Sequence, residues 1–225
     1  MNTNKFERLH PCIPKTGFDL QTFIILACQL AEQLMVKHQD GIIHRRVNSH
    51  HVFSETNEFK PPILLLIDTD DQSHDGAIME RLNHPDIVQH LPYMSPEQTG
   101  RMNRVVDYRS DFYSLGVVLY ELVSGQLPFI EKNAISLVHC HIAKKPPFLV
   151  DINSQVPDVL ARIIDRLLRK SADERYKAAY GLLHDLEKCR DAIIESKPFS
   201  DFELGQEDHF EILRIPDKLY GRKSE

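Results

Sequence analysis

Residues 111–129 read DFYSLGVVLYELVSGQLPF, and this stretch decides the fold. From Asp111 to Ser124, apolar side chains fall on nearly every face of a helix. A helix of that kind must be wrapped by others, and each fully buried large aliphatic in it contributes roughly 1.5–3 kcal/mol. Gly125 is a natural helix stop, and Leu127-Pro128-Phe129 leads the chain away. The segment is therefore expected at the centre of a mainly α-helical core.

Working outward, the flanks supply the wrapping. Upstream, Asp19 is placed to cap a helix in which Leu20, Phe23, Ile24, Ala27, Leu30, Ala31 and Leu34 fall at helical spacing, ending near Gln39-Asp40-Gly41. Ile42-Ile43 leads into the turn HRRVNSHH; Val52-Phe53 and ILLLI at 63–67 then read as two short strands of a hairpin. A polar loop, DTDDQSHDG, follows. Residues 72–95 keep no period and read as a long loop with one helical turn. Ser95-Pro96-Glu97 starts a short helix with proline in its first turn. Downstream, helices are expected over Ala134–Ala143, over Val159–Leu168 and from Leu182 toward Ile194. Residues 1–19 read as a lead-in segment, 20–195 as the domain, and 196–225 as an acidic linker. The stretch SDFELGQEDHFE at 200–211 carries five carboxylates and no Lys or Arg, the composition of a solvated tail or a partner-binding strip.

Composition narrows the function. The 225 residues are 42% hydrophobic and 27% charged, enough apolar material for one ordinary domain with tails. A formal net charge of -6 does not suit a coat for nucleic acid or an anionic membrane. No apolar run has the length of a membrane span, and MNTNKFERLHPCIPK lacks a signal-peptide core, so a cytoplasmic location is expected. Cys12, Cys28, Cys140 and Cys189 are scattered without a C-x-x-C pair, as reduced, mostly packed thiols would be.

The order of blocks carries a resemblance. A helix, IIHRRVNSHHVF, ILLLIDTD, a long loop, YMSPE, DFYSLGVVLYELVSGQLPF and SADERY together resemble the large lobe of a eukaryotic-type protein kinase over about residues 20–192. The implied fold is a mainly α, protein-kinase-like C-terminal lobe with short β-hairpins at the catalytic-loop region and no small lobe. By the same resemblance His44-Arg45-Arg46-Val47-Asn48-Ser49-His50-His51 is similar to the catalytic loop H-R-D-x-x-x-x-N, Asp68-Thr69-Asp70 to D-F-G, and Ser95-Pro96-Glu97 to A-P-E. Asp111 is similar to the aspartate that opens the buried helix, and Arg175 to the arginine that pairs with the A-P-E glutamate. His44, Arg45, Glu97, Asp111 and Arg175 are thus the implied structural residues. More narrowly, YMSPEQTGRMNRVVDYRSDFYSLGVVLYELVSGQLPF with LVHCHIAKKPP resembles the N-terminal kinase-like module of fungal hybrid histidine kinases. There an NTPase-like module follows, whose start is similar to Ile215-Pro216-Asp217-Lys218-Leu219-Tyr220-Gly221-Arg222.

Phosphoryl transfer is almost entirely positioning and charge neutralisation, and the residue types bear on whether it survives. No G-x-G is present, and the 43 residues before His44 hold one long helix rather than a five-stranded lobe; Lys5 and Lys15 lie in no strand pattern. Arg46 stands at the base position, and a guanidinium has no lone pair to accept a hydroxyl proton. Asn48 stands where the resemblance places a phosphate-contacting lysine, and His51 where it places a metal-binding asparagine, although magnesium prefers hard oxygen ligands. Asp68 alone keeps a metal-binding and nucleotide-binding identity. The expectation is a degenerate pseudokinase without a cofactor. It would act as a scaffold or regulator in a stress-type phosphorelay, with other modules of a long chain or signalling proteins as partners. The alternative is an active serine/threonine kinase using Mg-ATP, with Asp68, Asp70 and Asp71 as metal ligands. Smaller alternatives are a metal held by His44, His50 and His51, a ligand trio at His139-Cys140-His141, and contact of Arg45 with a phosphorylated Ser73; hydrogen-bonding or solvated side chains are the competing reading for each.

Overall fold

A computed structural model describes residues 6–55, 63–66, 85–199 and 202–209. The reading of 111–124 sets its centre. Helix α3 (Arg109–Ser124) buries every residue from Ser110 to Ser124. It is enclosed by α1 (Leu20–Gln39) on one side and α6 (Asp158–Leu167) on another, while α7 (Ala179–Ile194) lies along α1 and against α6. Phe23, Ile24, Leu30 and Leu34 of α1 meet Phe112, Leu115, Leu119 and Leu122 of α3 and Leu160, Ile163 and Leu167 of α6 in one continuous core. Gly125 ends α3 in the left-handed region (φ 73), and its N–H closes on Glu121 O.

Local chemistry explains the remaining ends. Asp19 caps α1, accepting from Thr22 N at 2.9 Å, and Asn133 caps α4 (Ala134–Ala143) through Ser136 N at 2.8 Å. Residues Pro96–Thr99 form a 3-10 turn opened by a capping box between Ser95 and Gln98. A short α2 (Pro85–His90) and a 3-10 turn (Leu91–Tyr93) precede it, giving the segment before Ser95 more helix than the single turn expected. With α4, they build a smaller apolar cluster of Ile87, Leu91, Met94, Phe129, Leu137 and Val138. Helix α5 (Leu149–Ile152) bridges α3 and α6.

Strands β2 (Val52–Glu55) and β3 (Ile63–Leu66) pair antiparallel, with Val52 opposite Leu66. A third strand, β1 (Phe6–Arg8), adds to β2 with Glu7 opposite Ser54, giving sheet order β1-β2-β3. The lead-in segment is therefore part of the folded body. Leu9 is buried in the core, and Phe18 N donates to Leu122 O at 2.8 Å. Three residues are too few to show alternation, so no sequence period announced this strand.

Within 202–209 the acidic stretch is partly packed, with Glu203, Gln206, Glu207 and His209 exposed. Asp208 is 3% exposed, and Phe202 and Leu204 pack on the core. Composition sets only the average preference of a segment; one buried carboxylate with enough donors reverses it. Among the described residues, no helix is long and apolar enough to cross a membrane. Cys28, Cys140 and Cys189 are buried free thiols and Cys12 is exposed.

Candidate functional site

The HRR turn is positioned by the start of α3. Asp111 is wholly buried and reaches back 66 and 67 residues along the chain, accepting from Arg45 N at 2.7 Å and His44 N at 2.9 Å. His38 Nε2, at the end of α1, contacts the same carboxylate at 2.9 Å. One carboxylate thus ties α1, α3 and the turn together. Arg45 takes φ 62, a conformation that costs a non-glycine residue about 1–2 kcal/mol, and the two backbone bonds to Asp111 hold it there. Gln98 Nε2 donates to Arg45 O at 2.7 Å, joining the Ser95–Thr99 turn to the same point. His38 escaped the sequence reading. The available signal was position, since it continues the buried stripe Ala27, Ala31, Leu34 by one further turn.

The rest of the loop bonds to itself. Asn48 is buried; its Oδ1 accepts from His50 N at 2.9 Å and His51 N at 3.0 Å, and its Nδ2 donates to Arg46 O at 3.0 Å. His51 Nδ1 lies 3.1 Å from Asn48 Nδ2 and 3.2 Å from Arg46 O. Arg46 N donates to His44 Nδ1 at 3.2 Å. Asn48 and His51 therefore serve as loop braces. His50 stacks on His10 with ring centroids 4.0 Å apart. Burial, with the charges of His10, Arg8 and His51, pulls His50 down to about 4, so it is neutral at physiological pH. The three histidines do not converge: among the described residues no group of His, Cys, Asp and Glu is arranged to hold a metal ion.

Behind the loop lies a buried polar chain that sequence reasoning missed. Ser49 Oγ lies 2.7 Å from Tyr93 OH, which donates to Glu121 Oε2 at 2.7 Å, and His10 Nδ1 sits 3.3 Å from Glu121 Oε1. A glutamate within an all-buried helix was its signal. Burial and the Glu121 carboxylate hold the Tyr93 hydroxyl far above the usual tyrosine range.

Glu97 and Arg175 form a second centre. Arg175 Nη1 donates to Glu97 Oε1 at 2.6 Å and Nη2 to Oε2 at 2.9 Å, with both side chains at most 2% exposed. Ser110 Oγ donates to Glu97 Oε1 at 2.7 Å, and Arg175 also reaches Arg169 O, Arg109 O and Lys170 O. Burial pushes the Glu97 carboxyl upward, but the Arg175 hydrogen bonds and charge, with Ser110, outweigh it and hold it below the ordinary value. Nearby, His141 and Tyr113 are paired at 3.0 Å. His141, Cys140 and His139 differ in setting: the first two are buried and the third is exposed.

Asp68, Asp70, Asp71 and Ser73 lie outside the described residues, as does the stretch 215–222. Among the described residues the loop at 44–51 offers magnesium no carboxylate. It presents a guanidinium, an amide and imidazoles, and the amide is fully engaged within the loop.

The model of the protein kinase domain matches residues 1–186, including the lead-in strand. The chain is 42% identical to hybrid signal transduction histidine kinase G of Dictyostelium discoideum over 59% of its length, and 31% identical to histidine protein kinase 1 of Candida albicans over 96%. It is also 30% identical over 90% of its length to a probable serine/threonine-protein kinase of Clostridium perfringens. It spans 4% and 9% of the two histidine kinases and 28% of the third relative.

Proposed function

The chain belongs to the protein kinase family, and on that premise we propose that it is a non-catalytic kinase-like module that scaffolds or regulates hybrid histidine kinase signalling. The described helices are read as the large lobe of the kinase fold. The observation that carries this is the loop at 44–51. Asp111 shapes its backbone, yet Arg46 occupies the base position and Asn48 and His51 are spent as braces. A positioned general base contributes about 10²–10⁴-fold, and a permanently protonated guanidinium supplies none of it. The scaffold residues Glu97, Asp111 and Arg175 meanwhile keep their contacts. Similarity to two histidine kinases that are far longer than this chain supports a place inside a multidomain chain, with neighbouring modules as partners; a cytoplasmic location is part of the same proposal.

The test pairs a thermal-shift measurement in Mg-ATP with a phosphate-transfer assay on a generic serine/threonine substrate. The expected result is no shift and no transfer. A second reading, active serine/threonine kinase, draws on the Clostridium relative. An ATP-dependent shift abolished by Asp68→Ala, with turnover, would establish that reading and end the first.

A further inference from the structure

The acidic segment that leaves the domain is seated in a specific place. Asp208 Oδ1 accepts from Lys177 N at 2.8 Å and Ala178 N at 3.1 Å, and its Oδ2 accepts from Arg166 Nη2 at 2.8 Å. Ala178 stands at the N-cap of α7 and has no side chain to offer there, so the carboxylate from 30 residues downstream supplies the negative charge that this helix end favours. Gly205 N donates to Asp185 Oδ2 at 2.8 Å, an oxygen that also accepts from Tyr176 OH at 2.7 Å. Phe202 lies under Lys188 Nζ, 4.9 Å from its ring centroid. The approach is close: a Cβ on Gly181 would stand 2.6 Å from Asp208 Cα, and one on Gly205 would strike the Arg166 guanidinium.

We propose that the face formed by α6 and the start of α7 is a docking groove for the segment Phe202-Glu203-Leu204-Gly205-Gln206-Glu207-Asp208, occupied in cis as a releasable latch. Asp208 is its key. Two features make it releasable rather than core. The segment is held chiefly by polar bonds to backbone N–H groups and one partly exposed guanidinium, and Phe202 and Leu204 are only half buried. Asp185 Oδ1 is buried without a hydrogen-bond partner while the latch is seated, a penalty that opening to water relieves. Segments held this way open below the global unfolding free energy. Latched, the chain leaves the domain at the N-terminus of α7; released, it does not.

The chain has no tryptophan, so Phe202→Trp places a single tryptophan, excited selectively over the tyrosines, in the latch of the full chain. In that background Asp208→Ala removes its bonds to the backbone and Arg166, and Gly181→Ala crowds it out sterically while favouring helix α7. Each is expected to red-shift the emission and raise acrylamide quenching; losing three hydrogen bonds to a charged carboxylate in Asp208→Ala should move the docked-to-free ratio by at least about a hundredfold. The far-ultraviolet circular dichroism should hardly change and unfolding should stay cooperative, with the urea midpoint falling by no more than the lost docking accounts for. Trp emission unchanged by both variants would overturn the proposal. So would global unfolding by both, which would make the segment part of the core, or a dimer with buried Trp, which would mean exchange between copies.

Discussion

Glu97→Ala tests the buried pair at the centre of the scaffold. The substitution leaves the Arg175 guanidinium in place, with its side chain fully buried, and removes both bonds to the carboxylate together with the acceptor of Ser110 Oγ. Breaking a buried pair by removing one partner costs about 3–5 kcal/mol. Three backbone carbonyls remain around Arg175, which places the loss at the lower end, about 3 kcal/mol. Against a total stability of about 5–15 kcal/mol, that is a large fraction. Urea unfolding followed by circular dichroism should show the midpoint falling by about 1–2 M with the slope preserved, and the melting temperature should drop by about 6–12 °C for a domain of this size. The control is Glu97→Leu with Arg175→Met, which removes both charges and should recover most of the loss. A single variant within about 0.5 kcal/mol of wild type, the range of surface changes, would refute the reasoning, as would a double variant no better than the single.

Asp111→Ala should release the turn that holds Arg45 in its left-handed conformation, and amide exchange at His44 and Arg45 should accelerate at least tenfold before the rest of α3 responds; unchanged protection at those two amides would show the carboxylate is dispensable. Acid should destabilise the domain through His90 and His141, which burial, aided by the charge of Arg46 for the first and Lys170 for the second, pulls down to about 3. The unfolded imidazoles take up protons near pH 6.5 and the folded ones do not, so stability is complete above about 6.5 and falls as pH drops toward 3, by roughly 2 kcal/mol per histidine at pH 5. Urea midpoints at pH 7 and pH 5 measure this, and His90→Leu should flatten the difference by about half; a flat wild-type profile would contradict it. Arg46→Asp places a carboxylate at the position proposed for the base but leaves the rest of the loop unchanged, so it should yield no phosphate transfer in the assay that tests the wild type; measurable turnover would mean that the other working groups are in place.

Several features were legible before any coordinates. A helix at 111–124, apolar on nearly every face, could be stable only inside a bundle. Asp19 and Gly125 marked helix ends through side-chain and backbone chemistry confined to a few neighbours. That the Arg46 side chain cannot accept a hydroxyl proton follows from the guanidinium itself, whatever surrounds it. These are short-range or intrinsic properties, and sequence carries them.

The tertiary structure alone decided the rest. That Asp111 gathers His38, His44 and Arg45 depends on α1, α3 and a turn meeting at one point, and no residue in any of them encodes the other two. Strand β1 exists because β2 offers an edge, not because Phe6-Glu7-Arg8 prefers to be extended. The acidic segment at 202–209 docks because Lys177, Ala178 and Arg166 present three donors to a single carboxylate. Composition averages over a segment, whereas burial is settled by the donors that one atom finds across the fold.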